Sequence, residues 1–174
     1  MSLNSLISYI SNSQIITELI KRIKNNNQLN IIGSSRYAKS IILNSVAEKE
    51  KKDILLITPN EEIAYKWYGY FESIGNKNVL YYPPSENLPY TSINKSKEIE
   101  YSQLSVISKL IKNDVGNFNI IIATERALQP HLINKNTFKE NIVTLEKGQE
   151  LDIEELTNKL ISLDYKREDN TSQE

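Results

Sequence analysis

Residues 30–40 read Asn30-Ile31-Ile32-Gly33-Ser34-Ser35-Arg36-Tyr37-Ala38-Lys39-Ser40. An apolar run, a glycine turn and a Lys-Ser pair opening a helical pattern follow the strand, loop and helix start of Walker A geometry, G-x-x-x-x-G-K-[ST]. In that geometry glycines let backbone N–H groups wrap phosphates, the lysine neutralises the outer phosphates and the hydroxyl ligates magnesium. Gly33, Lys39 and Ser40 fit. Ala38 stands where the second glycine belongs, and Ser34, Ser35, Arg36 and Tyr37 include no glycine to admit a left-handed turn. The loop therefore reads as degenerate. Its acidic partner is weak as well, because the run Asn119–Ala123 leads into Thr124-Glu125-Arg126 and offers only Glu125 to hold magnesium. Two readings remain open: a relic loop that is now structural, and a nucleotide site in which Gly33, Lys39, Ser40 and Glu125 still hold Mg-ATP.

Working outward, short continuous apolar runs occur at Leu29–Ile32, Ile54–Thr58, Val79–Tyr82, Asn119–Ala123 and Asn141–Leu145. Continuous rather than alternating runs suit strands buried on both faces of a parallel sheet. Helical patterns lie between them over Ala38–Lys51, Glu61–Ile74 and Ser96–Ile111. The second has Asn60 as a cap, Glu61 and Glu62 at the positive end of the dipole, and Gly75 as a stop. This alternation predicts an α/β fold, an open, mostly parallel sheet of the P-loop NTPase type flanked by helices. Leu3–Ile10 and Ile15–Ile23 carry one apolar helix face each, so two helices or one bent helix precede the sheet, ending at Asn25-Asn26-Asn27. Past Thr124 come a short helical turn, Glu125–Leu128, a polar segment, the Asn141–Leu145 run, a Lys147-Gly148 turn and a helix capped by Asp152. The expected organisation is helices over 1–28, a P-loop-like α/β domain over 29–134, and the beginning of a small α+β domain over 135–174. The polar tail 166–174 has nothing to bury and reads as a truncation.

Composition narrows the function. The 174 residues carry 21 Lys+Arg against 22 Asp+Glu, a net charge of -1 that supplies no global field to draw the chain onto nucleic acid or an anionic membrane. Zero cysteines exclude disulfides, thiolate metal sites and a Cys nucleophile, and the single His131 excludes a multi-histidine metal site; it reads as a loop histidine. No apolar run approaches the roughly 20 residues of a membrane span, and the first residues lack a basic signal region, so a cytoplasmic location is expected. Trp67, Tyr68, Tyr70 and Phe71 suggest base stacking, but their helical spacing makes core packing the better account. Lys21, Arg22 and Lys24, and later Lys49, Lys51 and Lys52, sit at helix ends and complement the dipole.

The segment V-L-Y-Y-P-P-S-E-N-L-P-Y, Val79 to Tyr90, is an irregular loop that no fold demands. It resembles the P-x-x-E-x-L-P-Y loop of the bacterial transcription-repair coupling factor (Mfd) family, whose N-terminal region is similar to the excision-repair protein UvrB. Pro84, Glu86, Leu88, Pro89 and Tyr90 are its motif residues here. Ser96–Leu110 is similar to the family's next helix, N-I-I-I-A-T-E-R-A-L-Q (Asn119–Gln129) to its strand and AT-x-x-A-L turn, and L-E-K-G-Q-E-L (Leu145–Leu151) to its L-x-x-G-Q-x-L entry. Together the motifs cover roughly residues 29 to 166. The chain departs from the family at Ser85, where tryptophan is frequent, and at Asp164, where glycine is frequent. The resemblance implies a UvrB domain 1-like fold whose Walker A loop is intact in UvrB and lost in this module. It implies a non-catalytic module that serves protein interaction, with no cofactor of its own and Mg-ATP bound by motor domains further along the parent chain. The parent removes RNA polymerase stalled at lesions by translocating on duplex DNA, and recruits UvrA for nucleotide excision repair. UvrA is thus the implied partner, through a surface that follows the position of Glu174; RNA polymerase and DNA would be reached through other domains. The alternative is a UvrB- or helicase-like P-loop domain that still binds Mg-ATP.

Overall fold

The computed structural model describes residues 3–25, 28–85, 97–112, 117–129, 132, 134–163 and 165. It divides into two compact units, 1–131 and 132–174. In the first, two helices, α1 (Leu3–Ser11) and α2 (Gln14–Asn25), precede α3 (Arg36–Glu50). Then β1 (Ile54–Thr58), α4 (Glu61–Ser73), β2 (Val79–Tyr82), α5 (Lys97–Ile111) and β3 (Ile120–Thr124) alternate, and a 3-10 turn follows at Arg126–Leu128. The sheet order is β1-β3-β2, with both pairings parallel: Ile54 stands beside Ile120, and Val79 beside the same Ile120 from the other side. The predicted α/β class is what the chain adopts.

β3 reads Ile-Ile-Ile-Ala-Thr and every residue in it is buried, as a central parallel strand requires. Ile120 and Ile122 face one core, with Ala64, Trp67 and Phe71 of α4 and Val79 of β2; Leu43 of α3 packs against it. Ile121 and Ala123 face the other, with Leu80 and Tyr82 of β2, Val106 of α5 and Ala127. Trp67 stacks on Phe71 with ring centroids 6.0 Å apart, so the aromatic set of α4 is core packing. Helix ends follow local chemistry. Asn60 Oδ1 accepts from Ile63 N–H at the start of α4, and Gly75 takes φ +81° just after its end, where a side chain would be strained.

Two expected strands are not strands. Leu29–Ile32 has no regular structure and lies outside the sheet, and Ile32 is 89% exposed. An apolar run becomes a strand only where a neighbour takes up its N–H and C=O groups, and among the described residues none does so here. Asn141–Leu145 likewise has no partner strand among the described residues. In its own unit it follows a short polar helix, α6 (Lys135–Glu140), which the sequence pattern did not anticipate, and precedes α7 (Ile153–Ser162). Asp152 caps α7 by accepting from the N–H groups of Glu154 and Glu155, as expected. Neither helix contains a buried residue, whereas in the first unit α4 alone buries three.

Phe71→Ala should cost about 3–5 kcal/mol in urea unfolding, because a fully buried ring leaves a cavity between α4 and the sheet. Burial, then the Glu61 carboxylate and Tyr65, hold the Tyr81 phenol well above its usual range, and burial raises Tyr82. The folded state therefore keeps these phenols neutral where the unfolded chain ionises them, so this contribution is full up to about pH 9, below the unfolded value, and is lost as pH rises toward the folded values. The urea midpoint should fall from about pH 9 upward, and Tyr81→Phe should flatten that fall.

Candidate functional site

The loop before α3 keeps one Walker A feature and loses others. Gly33 has φ +79°, the left-handed conformation that a phosphate-wrapping turn uses and that a side chain would strain. Past it, the chain satisfies its own helix end. Ser35 is the cap of α3: its Oγ accepts from Ala38 N–H at 3.1 Å and its carbonyl from Lys39 N–H at 3.0 Å. The Ala38 N–H is one of those that a helix start leaves open and that a bound phosphate would take. Ser40, at the magnesium-ligating position, is fully buried and its Oγ donates to Tyr37 O at 2.7 Å. Ser34 Oγ is buried with no hydrogen-bond partner among the described residues. Ala38 and Lys39 are half-buried, and Tyr37 meets Tyr70 of α4 edge-on at 5.9 Å.

Glu125 is exposed just past β3, and its N–H donates to Thr58 O of β1 at 3.1 Å. No hydrogen bond or ion pair joins it to Lys39 or Ser40 among the described residues. The carboxyl-terminal ends of β1 and β3, where open α/β sheets bind ligands, are tied by buried hydroxyls that belong to none of the sequence motifs. Thr58 Oγ1 donates to Ala123 O at 3.3 Å and Asn60 O at 3.1 Å, and Thr124 Oγ1 accepts from Ala127 N–H at 3.2 Å. A threonine ending an apolar run just before a turn was the available signal.

The proline loop is anchored where it leaves the sheet. Pro83 and Pro84 are buried, and Gln103 of α5 donates from Nε2 to Pro83 O at 2.8 Å and Ser85 Oγ at 3.1 Å. Glu86, Leu88, Pro89, Tyr90 and His131 lie outside the described residues.

No family model matches the chain. It is 28% identical over 161 residues, 92% of its length, to the transcription-repair-coupling factor of Staphylococcus haemolyticus. The Bacillus subtilis transcription-repair-coupling factor is 27% identical over 82% of the chain, and UvrABC system protein B of Cytophaga hutchinsonii is 24% identical over 87%. The chain is a homologue of both proteins. It spans only 12% to 24% of the length of these relatives. The similarity to UvrABC system protein B agrees with the parallel sheet flanked by helices. Among the described residues no helix is long and apolar enough to cross a membrane.

Ser35→Ala should cost about 1 kcal/mol by loss of the cap, and Gly33→Ala about 1–2 kcal/mol by backbone strain, both read as lowered urea midpoints.

Proposed function

We propose that the chain is the N-terminal UvrB-like module of a transcription-repair coupling factor, that it is non-catalytic, and that it serves protein interaction in the cytoplasm. The observation that carries this reading is the closed loop before α3. Ser35 Oγ occupies the Ala38 N–H that would otherwise face a phosphate, and the Ser40 hydroxyl is spent on Tyr37 O. Binding a nucleotide there would require breaking both bonds and burying phosphate charge beside Ala38. The module thus takes no cofactor, and Mg-ATP hydrolysis and movement along DNA belong to other parts of the whole protein. Its partner is UvrA, and dislodging RNA polymerase is the work of the whole protein. The net charge of -1 suits a protein-docking surface better than a DNA-tracking one.

The second reading, a P-loop domain that still binds Mg-ATP, is favoured by Gly33 at positive φ beside the unpartnered Ser34 Oγ. Thermal melting separates the two. A nucleotide at about 100 times its dissociation constant would stabilise by roughly 2.7 kcal/mol, a shift of a few degrees for a chain of this size. The expected result is no shift with Mg-ATP; a shift that disappears in Lys39→Ala would establish the second reading. For the partner, immobilised chain should capture purified UvrA weakly and an extension past Glu174 should strengthen capture. Strong capture by residues 1–174 would move the contact surface into them.

A further inference from the structure

Helix α3 begins too early for the loop it follows. In Walker A geometry the Lys-Ser pair opens the helix, and the residues before it stay in the loop that wraps phosphate. Here α3 starts at Arg36, three residues ahead of Lys39, so Arg36, Tyr37 and Ala38 form an added helical turn. From Ser40 onward the helix is anchored by its own buried residues, Ser40, Ile41, Ser45 and Ala47. The added turn has no such anchor: Arg36 is exposed, and Ala38 is half-buried. Its large contact with the rest of the unit is the Tyr37 ring, which meets Tyr70 of α4 edge-on at 5.9 Å. Tyr70 in turn stands edge-on to Trp67 at 6.2 Å, and Trp67 stacks on the fully buried Phe71. Tyr37 is thus the outer member of an aromatic row that runs into the core.

The closed turn also carries a cost. Ser34 Oγ is buried with no hydrogen-bond partner among the described residues, and a buried unpaired hydroxyl disfavours the arrangement that leaves it so. Gly33 keeps φ +79°, so the first half of a phosphate turn is still shaped. The second half must be held in helix against that cost. The Ser35 cap fixes where the helix starts; Tyr37 ties the turn to α4.

We propose that Tyr37 is the lock of the closed loop. Its ring on Tyr70 keeps Arg36–Ala38 helical, and so keeps the Ala38 N–H on Ser35 Oγ and the Ser40 hydroxyl on Tyr37 O, where neither meets a nucleotide. The proposal rests on the reading that this loop takes no Mg-ATP, and names the residue responsible. Ala38 is a second obstacle of a different kind. Its methyl group hinders the approach of phosphate to the backbone, whereas the Tyr37 ring decides whether residues 36–38 form a loop at all. With the ring removed the added turn loses its hold on α4, and Ser40 Oγ is released when Tyr37 O leaves its helical position. With Ala38 also replaced by glycine, Gly33, Lys39 and Ser40 recover the full Walker A pattern.

The test is thermal melting, with and without millimolar Mg-ATP, of the wild-type chain, of Ala38→Gly, of Tyr37→Ala combined with Ala38→Gly, and of that pair with Lys39→Ala added. The expected result is no shift for the wild type or for Ala38→Gly, a rise of a few degrees for the pair, and loss of that rise with Lys39→Ala. A shift in Ala38→Gly alone equal to that of the pair overturns the proposal, as does a folded pair that shows none. A shift in the wild type is a different failure, because it overturns the reading that the loop is closed and takes the lock with it. Hydrogen exchange reads the lock without nucleotide and without the glycine. In Tyr37→Ala the Ala38 and Lys39 amides should exchange roughly threefold to tenfold faster, the worth of one aromatic pair, and in Tyr37→Phe they should keep the wild-type rate. Strong protection of the Ile120–Ala123 amides in both variants shows that the sheet is intact. Unchanged exchange in Tyr37→Ala, or equal quickening in Tyr37→Phe, rejects the proposal.

Discussion

Everything in the first unit depends on β3 being buried on both faces and bonded along both edges. A strand in that position can expose nothing, so all five of its residues are buried and none is charged. Its two neighbours are fixed in register by the same residue, Ile120, which faces Ile54 on one side and Val79 on the other. Asp53 reinforces one side: its Oδ1 accepts from both the backbone N–H and the side-chain amide of Asn119, at 2.7 and 3.2 Å, just before the strands begin to pair. Each pair of faces then needs a helix, which α4 supplies through Trp67 and Phe71 and α5 through Val106.

The layers outside that core are held by smaller, more local contacts. Asn76 Nδ2 donates to Asn44 Oδ1 at 2.7 Å, tying the turn after α4 to α3. Ser11 and Ser45 hydroxyls meet at 2.7 Å between α1 and α3, and Lys24 pairs with Glu50 at 2.9 Å between α2 and α3. The loop of the candidate site sits at the start of α3 and so belongs to this outer layer. The Ala38 N–H and the Ser40 hydroxyl are bonded locally, to Ser35 Oγ and Tyr37 O, which stabilises the helix end.

The sequence was most legible where one residue type had one physical use. Asn60 and Asp152 are caps because their short side chains reach backbone N–H groups, and each is found doing so. The buried runs of β2 and β3, and the aromatic face of α4, follow from composition and spacing alone. Legibility failed at Leu29–Ile32 and Asn141–Leu145, whose composition matches that of true strands. What separates them is whether another strand lies alongside, a long-range fact that a local run does not encode. The helix α6 was missed for the opposite reason: Lys-Asn-Thr-Phe-Lys-Glu has almost no apolar periodicity, and is set by the Asn134 cap, whose Oδ1 accepts from Asn136 N–H. In the candidate site the motif letters located the turn and the helix start, but the roles of Ser35 and Ser40 emerged only from where their hydroxyls point.

The strand order also bears on how the protein is made. The middle strand of the sheet is the last of the three in the chain, so β1 and β2 have no partner when they leave the ribosome. The hydrogen bond from Asn119 to Asp53 spans 66 residues, which at about 5–20 residues per second is roughly 3 to 13 s of synthesis. During that time the nascent chain carries Ile54–Thr58 as an unpaired apolar segment, because the strand that both β1 and β2 pair with, Ile120–Thr124, has yet to emerge.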